Sequence, residues 1–230
     1  AVTYSAGTVT LTSGNILHVV EGAQTFDITL NPSENFTGKT FVANLDSTGG
    51  TVVSILGTSV SSGQTLTVSS GQTSNGLLIQ SGGTVNVLAG GFAANTVISS
   101  GGVENNAGLA SGTVVSSGAR EVILSGGSDT FVTVYGGQEV ISAGGVVDHI
   151  TVSSGSTLTV LGTVSSNAVI YAGAIETVSA GGVVAGQVGS GTAISGGLVN
   201  VLKNGHIDHV TAFSGGVLNI SSGANAFNIA

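Results

Sequence analysis

The chain has 230 residues, of which 39 are glycine, 41% are hydrophobic and only 6% are charged. This apolar composition excludes an intrinsically disordered chain, and the formal net charge of -8 excludes nucleic acid as a partner. Disulfides and thiolate metal sites are excluded because there is no cysteine. The sequence contains no uninterrupted run of about 18 apolar residues, the length that would predict a membrane-spanning helix.

Residues 1–57 differ from the rest of the chain. Bulky apolar clusters lie around Phe26 to Leu30 and around Phe41 to Ile55, and the single proline, Pro32, is also here. We interpret residues 1–57 as an N-terminal capping region of irregular β-strands, because an uncovered end of a stacked β-structure invites aggregation.

A short phrase then recurs from residue 58 onward: an aliphatic residue, any residue, a small residue and glycine. Val60 to Gly63, Val68 to Gly71, Ile79 to Gly82 and Val87 to Gly90 are its first copies. The phrase glycines are spaced alternately by about 8 and about 11 residues, which gives a repeat of about 19 residues. Each repeat therefore predicts two strands and two turns.

The third and fifth residues after a phrase glycine are usually apolar, as in Leu66 and Val68, which is the alternation of a half-buried strand. Two strands cannot bury an apolar face alone, so the repeats must stack as a parallel β-helix. Residues 58–230 would form about nine rungs and a rod roughly 40 Å long. We expect the rod to continue beyond residue 230, and a loop to form between Gly181 and Gly196, where residues are added. The predicted aliphatic stack consists of Val68, Val87, Ile123, Ile141, Val160 and Val178.

The segments VSSGQTLTVSSGQTSNGLLIQSGGTVNVLAGG and TVISSGG resemble the passenger repeats of self-associating autotransporter adhesins of the AIDA type. The resemblance covers most of residues 58–230 and implies a right-handed parallel β-helix, display on a bacterial surface, adhesion and cell-to-cell aggregation. It also implies O-linked heptose on repeat serines. The serines that precede turn glycines are the expected positions: Ser62, Ser70, Ser100, Ser117, Ser154 and Ser222.

Glutamates recur at the third position after a phrase glycine, at Glu104, Glu121 and Glu139, with Glu176 further along. Stacked carboxylates about 5 Å apart repel one another, so they should have raised pKa values, splay at a corner into solvent near Arg120, or share a cation such as calcium. Of these alternatives we favour splayed, solvated side chains. We predict no metal site; Glu104, Glu121 and Glu139 are weak candidates for one, and His206 and His209 could bind one metal ion together only at a turn. Asp148-His149 and Asp208-His209 are interpreted as repeat echoes about three rungs apart rather than as a joint site.

Enzyme signatures are missing: there is no G-x-S-x-G elbow, phosphate loop or dinucleotide fingerprint. Polyuronate chemistry needs basic groups to hold the substrate, and Lys39, Arg120 and Lys203 are the only lysines and arginines. We therefore predict a protein that is not an enzyme and needs no cofactor.

The predicted function is an adhesive or structural module at the bacterial surface or in the extracellular space. Its expected partner is a second copy of itself, with host or matrix glycans as a further possibility. An alternative is a passive stalk or filament subunit that assembles by stacking; ice or polysaccharide binding is less favoured, because the threonines are too sporadic. Polar residues at outward strand positions would carry self-association: Thr67, Asn86, Asn105, Thr159, Thr177 and Asn219.

Overall fold

A computed structural model describes residues 8–21, 24–33, 36, 39–45, 51–56, 58–187 and 189–230. These residues form 29 β-strands and no helix, so the fold is all-β as predicted. The described part of the chain accordingly offers no helical segment that could cross a membrane.

The described residues before 58 form antiparallel strand pairs. Strands β1 (Thr8–Thr12), β2 (Ile16–Glu21) and β3 (Gln24–Thr29) make one sheet, and β4 (Thr40–Leu45) pairs with β5 (Thr51–Leu56). Leu17, Val19, Phe36 and Phe41 form a small core of their own. Phe26 and Ile28, which the sequence placed in an apolar cluster, are exposed. The capping role of this region stays a prediction.

From residue 58 onward every strand pairing is parallel, and the chain is a β-solenoid of about nine turns. One wall is a nine-stranded sheet. Its strands, in order along the rod, are β7 (Thr65–Val68), β10 (Thr84–Val87), β13 (Val103–Asn106), β16 (Arg120–Ile123), β18 (Gln138–Ile141), β20 (Thr157–Val160), β23 (Ile175–Val178), β26 (Leu198–Val201) and β28 (Val217–Ile220). We number the rungs one to nine by these strands.

The opposite wall is a 15-stranded parallel sheet that bends in the middle of most rungs. Its strands are β6 (Ser59–Val60), β8 (Thr73–Asn75), β9 (Leu78–Ile79), β11 (Phe92–Ala94), β12 (Val97–Ile98), β14 (Leu109–Ser111), β15 (Val114–Val115), β17 (Ser128–Val134), β19 (Val146–Val152), β21 (Thr163–Val164), β22 (Ala168–Tyr171), β24 (Val183–Val184), β25 (Thr192–Ser195), β27 (His206–Ala212) and β29 (Asn225–Ile229). Residues with left-handed backbone, such as Asn95, Phe131 and His149, mark the bend.

The core lies between the two walls and is built from aliphatic side chains in register. The predicted stack is confirmed: Val68, Val87, Ile123, Ile141, Val160 and Val178 are all buried. Asn106 occupies the third rung of the same stack, where its Nδ2 donates to the Ser128 carbonyl and its Oδ1 accepts from the Gly108 amide. The sequence did not predict this buried amide, in which both polar atoms have a hydrogen-bond partner.

The glycine pairs divide two tasks at the corners. Gly126 has a φ of 83°, which glycine adopts without strain. Its neighbour Gly127 lies so close to the strand of the preceding rung that an added Cβ would be 2.2 Å from the Asn106 carbonyl oxygen. The expected loop also occurs, since residues 185–187 and 189–191 carry no strand.

Candidate functional site

The outward residues predicted for self-association lie in one continuous row on the nine-stranded sheet. Register pairs each of them with its neighbour on the next rung, and Val122, Val140 and Asn200 complete the row. All six predicted residues are exposed or half-buried: Thr67, Asn86, Asn105, Thr159, Thr177 and Asn219. We call these nine residues the polar row.

Part of the hydrogen-bonding capacity of the polar row is used within the rod. Asn105 Nδ2 donates to Asn86 Oδ1 at 2.9 Å, and Asn219 Nδ2 donates to Asn200 Oδ1 at the same distance. The row is also interrupted in the middle by Val122 and Val140. It therefore offers fewer free polar groups to a second rod than its sequence suggests.

The six serines expected to carry glycans are all exposed at corners of the rod: Ser62, Ser70, Ser100, Ser117, Ser154 and Ser222. For most of them the residue above is a glycine of the next rung. A Cβ at Gly118, for example, would lie 2.7 Å from Ser100 Oγ. The missing side chain leaves the serine hydroxyl open at the surface, where a transferase could reach it.

The repeated glutamates lie inside the rod, so the expectation that they splay into solvent is wrong. Glu104, Glu121 and Glu139 stack on consecutive rungs, and Glu176 lies two rungs further on. None of the four has any exposed surface. They occupy the inward positions that Leu66 and Val85 occupy in the first two rungs, so strand alternation outweighs their charge in placing them.

A fifth buried acid, Asp129, projects from the opposite wall toward the same stack. The hydroxyls of Thr96 and Thr113 face Glu104 and Asp129 and offset part of the rise in pKa that burial causes, but neither hydroxyl makes a hydrogen bond of normal geometry with a described residue. The carboxyl oxygens of Glu104, Glu121, Glu139 and Asp129 accept no hydrogen bond of normal geometry from a hydroxyl or amide of a described residue, whereas Glu121 interacts with the neighbouring carboxyls of Asp129 and Glu139. We call these four acids the interior acidic stack.

Burial dominates the titration of these acids. Loss of hydration raises the pKa of Glu104, Glu139 and Glu176 to about 8 and that of Asp129 to about 6. Burial and the neighbouring carboxyls Glu139, Asp129 and Glu104 raise the pKa of Glu121 well above its usual value. The four glutamates are therefore mainly protonated and neutral at pH 7.

The candidate calcium site finds no support in this arrangement. Across the described residues, no group of three or more His, Asp or Glu side chains has a geometry that could hold a metal ion, and Glu104, Glu121 and Glu139 do not form one.

Protonation of the buried acids changes the charge that a partner meets. Four neutral glutamates reduce the formal net charge of -8 to about -4. Between residues 58 and 230 the acids that reach the surface are Asp148 and Asp208, and the bases are Arg120 and Lys203. The outer surface of the rod is thus close to electrically neutral.

The two Asp-His pairs lie at the bend of the 15-stranded sheet, three rungs apart, as the sequence predicted. His149 Nδ1 lies 2.8 Å from Asp148 Oδ2, and its Nε2 lies 2.9 Å from Asn167 Nδ2. Burial raises the pKa of Asp148, but hydrogen bonds from Ser166 and His149 outweigh this effect and hold the pKa below its usual value. These contacts lock the bend, so we assign the pairs a structural role.

Comparisons with known proteins add a structural likeness. No family model matches the chain, and no curated protein matches it. It is similar to a crystal structure of a fragment of TibA, residues 55–350, hyper-glycosylated by TibC. The two chains are 24% identical with a TM-score of 0.42, and the match covers 74% of this chain and 82% of that one. A likeness at this level does not assign a family or a function.

Proposed function

We propose that this chain is an adhesive module of a bacterial cell-surface or secreted protein, and that it binds copies of itself side by side. The observation that carries the proposal is the polar row, whose nine positions lie in strict register along the rod and carry polar side chains on seven rungs. Contacts that recur at each rung, about 4.8 Å apart, add their weak contributions along the rod. The sequence resemblance to AIDA-type passengers agrees with this function, including aggregation and biofilm formation.

The surface charge also favours side-by-side association. With two acids and two bases near the surface of residues 58–230, two rods can approach closely without strong mutual repulsion. Host or matrix glycans could use the same polar surface as secondary partners.

We also propose that this chain has no enzymatic activity. The carboxyls that a lyase or glycosidase would need are those of Glu104, Glu121 and Glu139, and they are enclosed in the rod. An enclosed carboxyl cannot come within hydrogen-bonding distance of a polysaccharide substrate. The exposed corner serines are proposed as glycosylation sites in a host that supplies the transferase.

Display on a non-aggregating bacterium tests the proposal. Cells that carry the module should clump, and in a mixture of two differently labelled populations, non-displaying cells should be left out of the clumps. Cells that display Ile141→Asp, which disrupts the core, are the control for folding. Failure of displaying cells to clump at any expression level would overturn self-association, and ordered end-to-end polymers of the purified protein would favour the stalk alternative.

A further inference from the structure

A second row of residues runs beside the polar row, at the corner where each strand of the nine-stranded sheet ends. Backbone hydrogen bonds hold its members in register: the Leu88 amide donates to the Val68 carbonyl, the Ala107 amide to Val87, and so on to the Ser221 amide, which donates to Val201. We call the row the leucine ladder. In rung order it consists of Ser69, Leu88, Ala107, Leu124, Ser142, Leu161, Ser179, Leu202 and Ser221.

Large and small side chains alternate strictly along the leucine ladder. Leucine occupies rungs two, four, six and eight, and the other rungs carry serine or alanine. The four leucines are 37–45% exposed, which is unusual for such large apolar side chains at regular spacing. Since rungs are about 4.8 Å apart, the leucines stand about 9.6 Å apart with a gap between each pair.

We propose that the leucine ladder is the surface through which two copies of this chain pair, with the leucines of each copy filling the gaps of the other. The inference rests on the proposed self-association and adds the leucine ladder, which runs beside the polar row, to its contact surface. A second copy is the occupant because it alone is certain to carry knobs and gaps of the same spacing. The nearly neutral surface of the rod lets two such ladders meet.

The alternation also selects the relative direction of the two rods. In a parallel pair related by a twofold axis along the rod, leucine would meet leucine at every second rung. A twofold axis perpendicular to the rods makes them antiparallel. If the two rods are then offset from full overlap by an odd number of rungs, every leucine in the overlap lies opposite a gap. This antiparallel arrangement closes as a dimer, and it suits rods that project toward each other from two cells.

The offset decides which residues meet. With the two rods almost fully overlapped, Ser142 receives Leu124 of the second copy, or Leu161 if the overlap is shifted by two rungs. In both cases Ala107 and Ser179 are also filled.

The contact is modest in size. A strip about 40 Å long and about 10 Å wide buries roughly 400 Å² on each copy, below the usual size of a stable interface. A single pair should therefore be short-lived, and many rods on two surfaces would act together.

Sedimentation velocity over a range of protein concentrations tests the ladder. The variant Leu88→Ser/Leu124→Ser/Leu161→Ser/Leu202→Ser removes the knobs, and Ser142→Leu fills a central gap. Both variants introduce only serine or leucine, which already occur at this corner on other rungs, so the fold should tolerate them. Circular dichroism checks that each variant is folded. Each variant should weaken self-association, the first at least about tenfold.

Leu109→Ser is the matched control for apolar area, because Leu109 is exposed on the opposite wall and lies outside the ladder. It should associate like the wild type. Association of the four-leucine variant at wild-type strength would overturn the ladder and leave the proposed function standing. A wild type that stays monomeric at every concentration would overturn both.

Cross-linking then tests the direction. The chain has no cysteine, so Ser142→Cys and Leu124→Cys can be prepared as separate proteins, mixed and oxidised. A disulfide-linked heterodimer from this mixture, or from Ser142→Cys with Leu161→Cys, is expected. Cross-linking of Leu124→Cys to itself in preference to both mixtures would overturn the antiparallel arrangement.

Discussion

Glu121 pairs in register with Glu139 on the next rung, and both side chains point into the rod with no exposed surface. Two ionised carboxylates in that position would repel each other and lose their hydration. The pair is stable because burial raises both pKa values and keeps the side chains protonated near neutral pH. The interior acidic stack thus makes the stability of the rod depend on pH.

The rod should lose stability as the pH rises. In the unfolded chain these glutamates ionise around their ordinary pKa of 4.5, whereas in the folded rod Glu104, Glu139 and Glu176 hold their protons up to about pH 8. Between those values the unfolded state binds fewer protons, so each such group lowers the free energy of unfolding by about 1.4 kcal/mol per pH unit. Thermal melting at intervals from pH 4.5 to pH 9 should show a falling melting temperature that levels off above the folded pKa values.

Glu121→Gln isolates this effect, because glutamine keeps the size and polarity of the side chain but cannot ionise. Its melting temperature should fall less steeply with pH than that of the wild type. Thr159→Asn, which changes an outward, half-buried side chain two rungs further on and removes no titratable group, is the control and should keep the wild-type slope. A wild-type melting temperature that stays constant from pH 5 to pH 8 would contradict burial of the stack.

Strand periodicity predicted most of the fold, but the expected cost of burying charge led to a wrong placement of the glutamates. The phrase glycines and the alternation after them fixed the rungs, the walls and the aliphatic stack. The same alternation assigns Glu104 to the inside with Leu66, but the cost of burying charge argued for solvent; protonation removes that conflict. Asp129 was missed because the spacing between the two walls varies from rung to rung.

The bend and the leucine ladder were also hidden from sequence reasoning. Phe131 and His149 adopt left-handed backbone without being glycine or asparagine, so no turn signal marks them. The ladder repeats only every second rung, and the search for a repeat of about 19 residues does not reveal an alternation of twice that length.

Replacement of Ile141 by Asp should unfold the rod. Ile141 is fully buried in the aliphatic stack, and an aspartate there is a charge without a partner, which should cost at least about 4 kcal/mol. Val140→Asp on the same strand faces outward and should cost far less, since its charge remains hydrated. Chemical denaturation of both variants checks the difference; an Ile141→Asp protein that unfolds with the wild type would refute the core.

The glycine pair at the fourth corner should respond unequally to alanine. Gly127→Ala drives a Cβ into the Asn106 carbonyl and should be strongly destabilising. Gly126→Ala meets no described atom within 4 Å and pays only for left-handed backbone, about 1 to 2 kcal/mol. Gly126→Asn should cost less again, because asparagine adopts that backbone more readily. Equal losses for the two alanine variants, measured by thermal melting, would contradict the assigned roles.

Glycosylation should be confined to the exposed corners. In protein purified from its native host, peptides from residues 58–230 should exceed their unmodified masses by whole sugar units, and peptide mapping should place the sugars on serines such as Ser62, Ser100 and Ser154. Ser156 is a useful comparison in the same turn, because it is buried and its hydroxyl donates to the Val134 carbonyl. An unmodified mass, or sugars on buried serines, would count against the proposal.

Self-association at pH 7 should depend little on sodium chloride. The formal charge of -8 alone predicts repulsion, and therefore association that strengthens as salt screens it. Protonation of the buried glutamates removes much of that charge, and residues 58–230 present two acids and two bases to a partner.

Ammonium sulfate should still strengthen association, because it favours burial of the apolar leucines. Light scattering at rising concentrations of each salt, with and without a chelator, separates the cases. Dispersal by sodium chloride would indicate ion pairs between rods. Association that strengthens markedly with sodium chloride would indicate that charge repulsion between rods dominates, and loss of association with chelator alone would indicate a bridging cation.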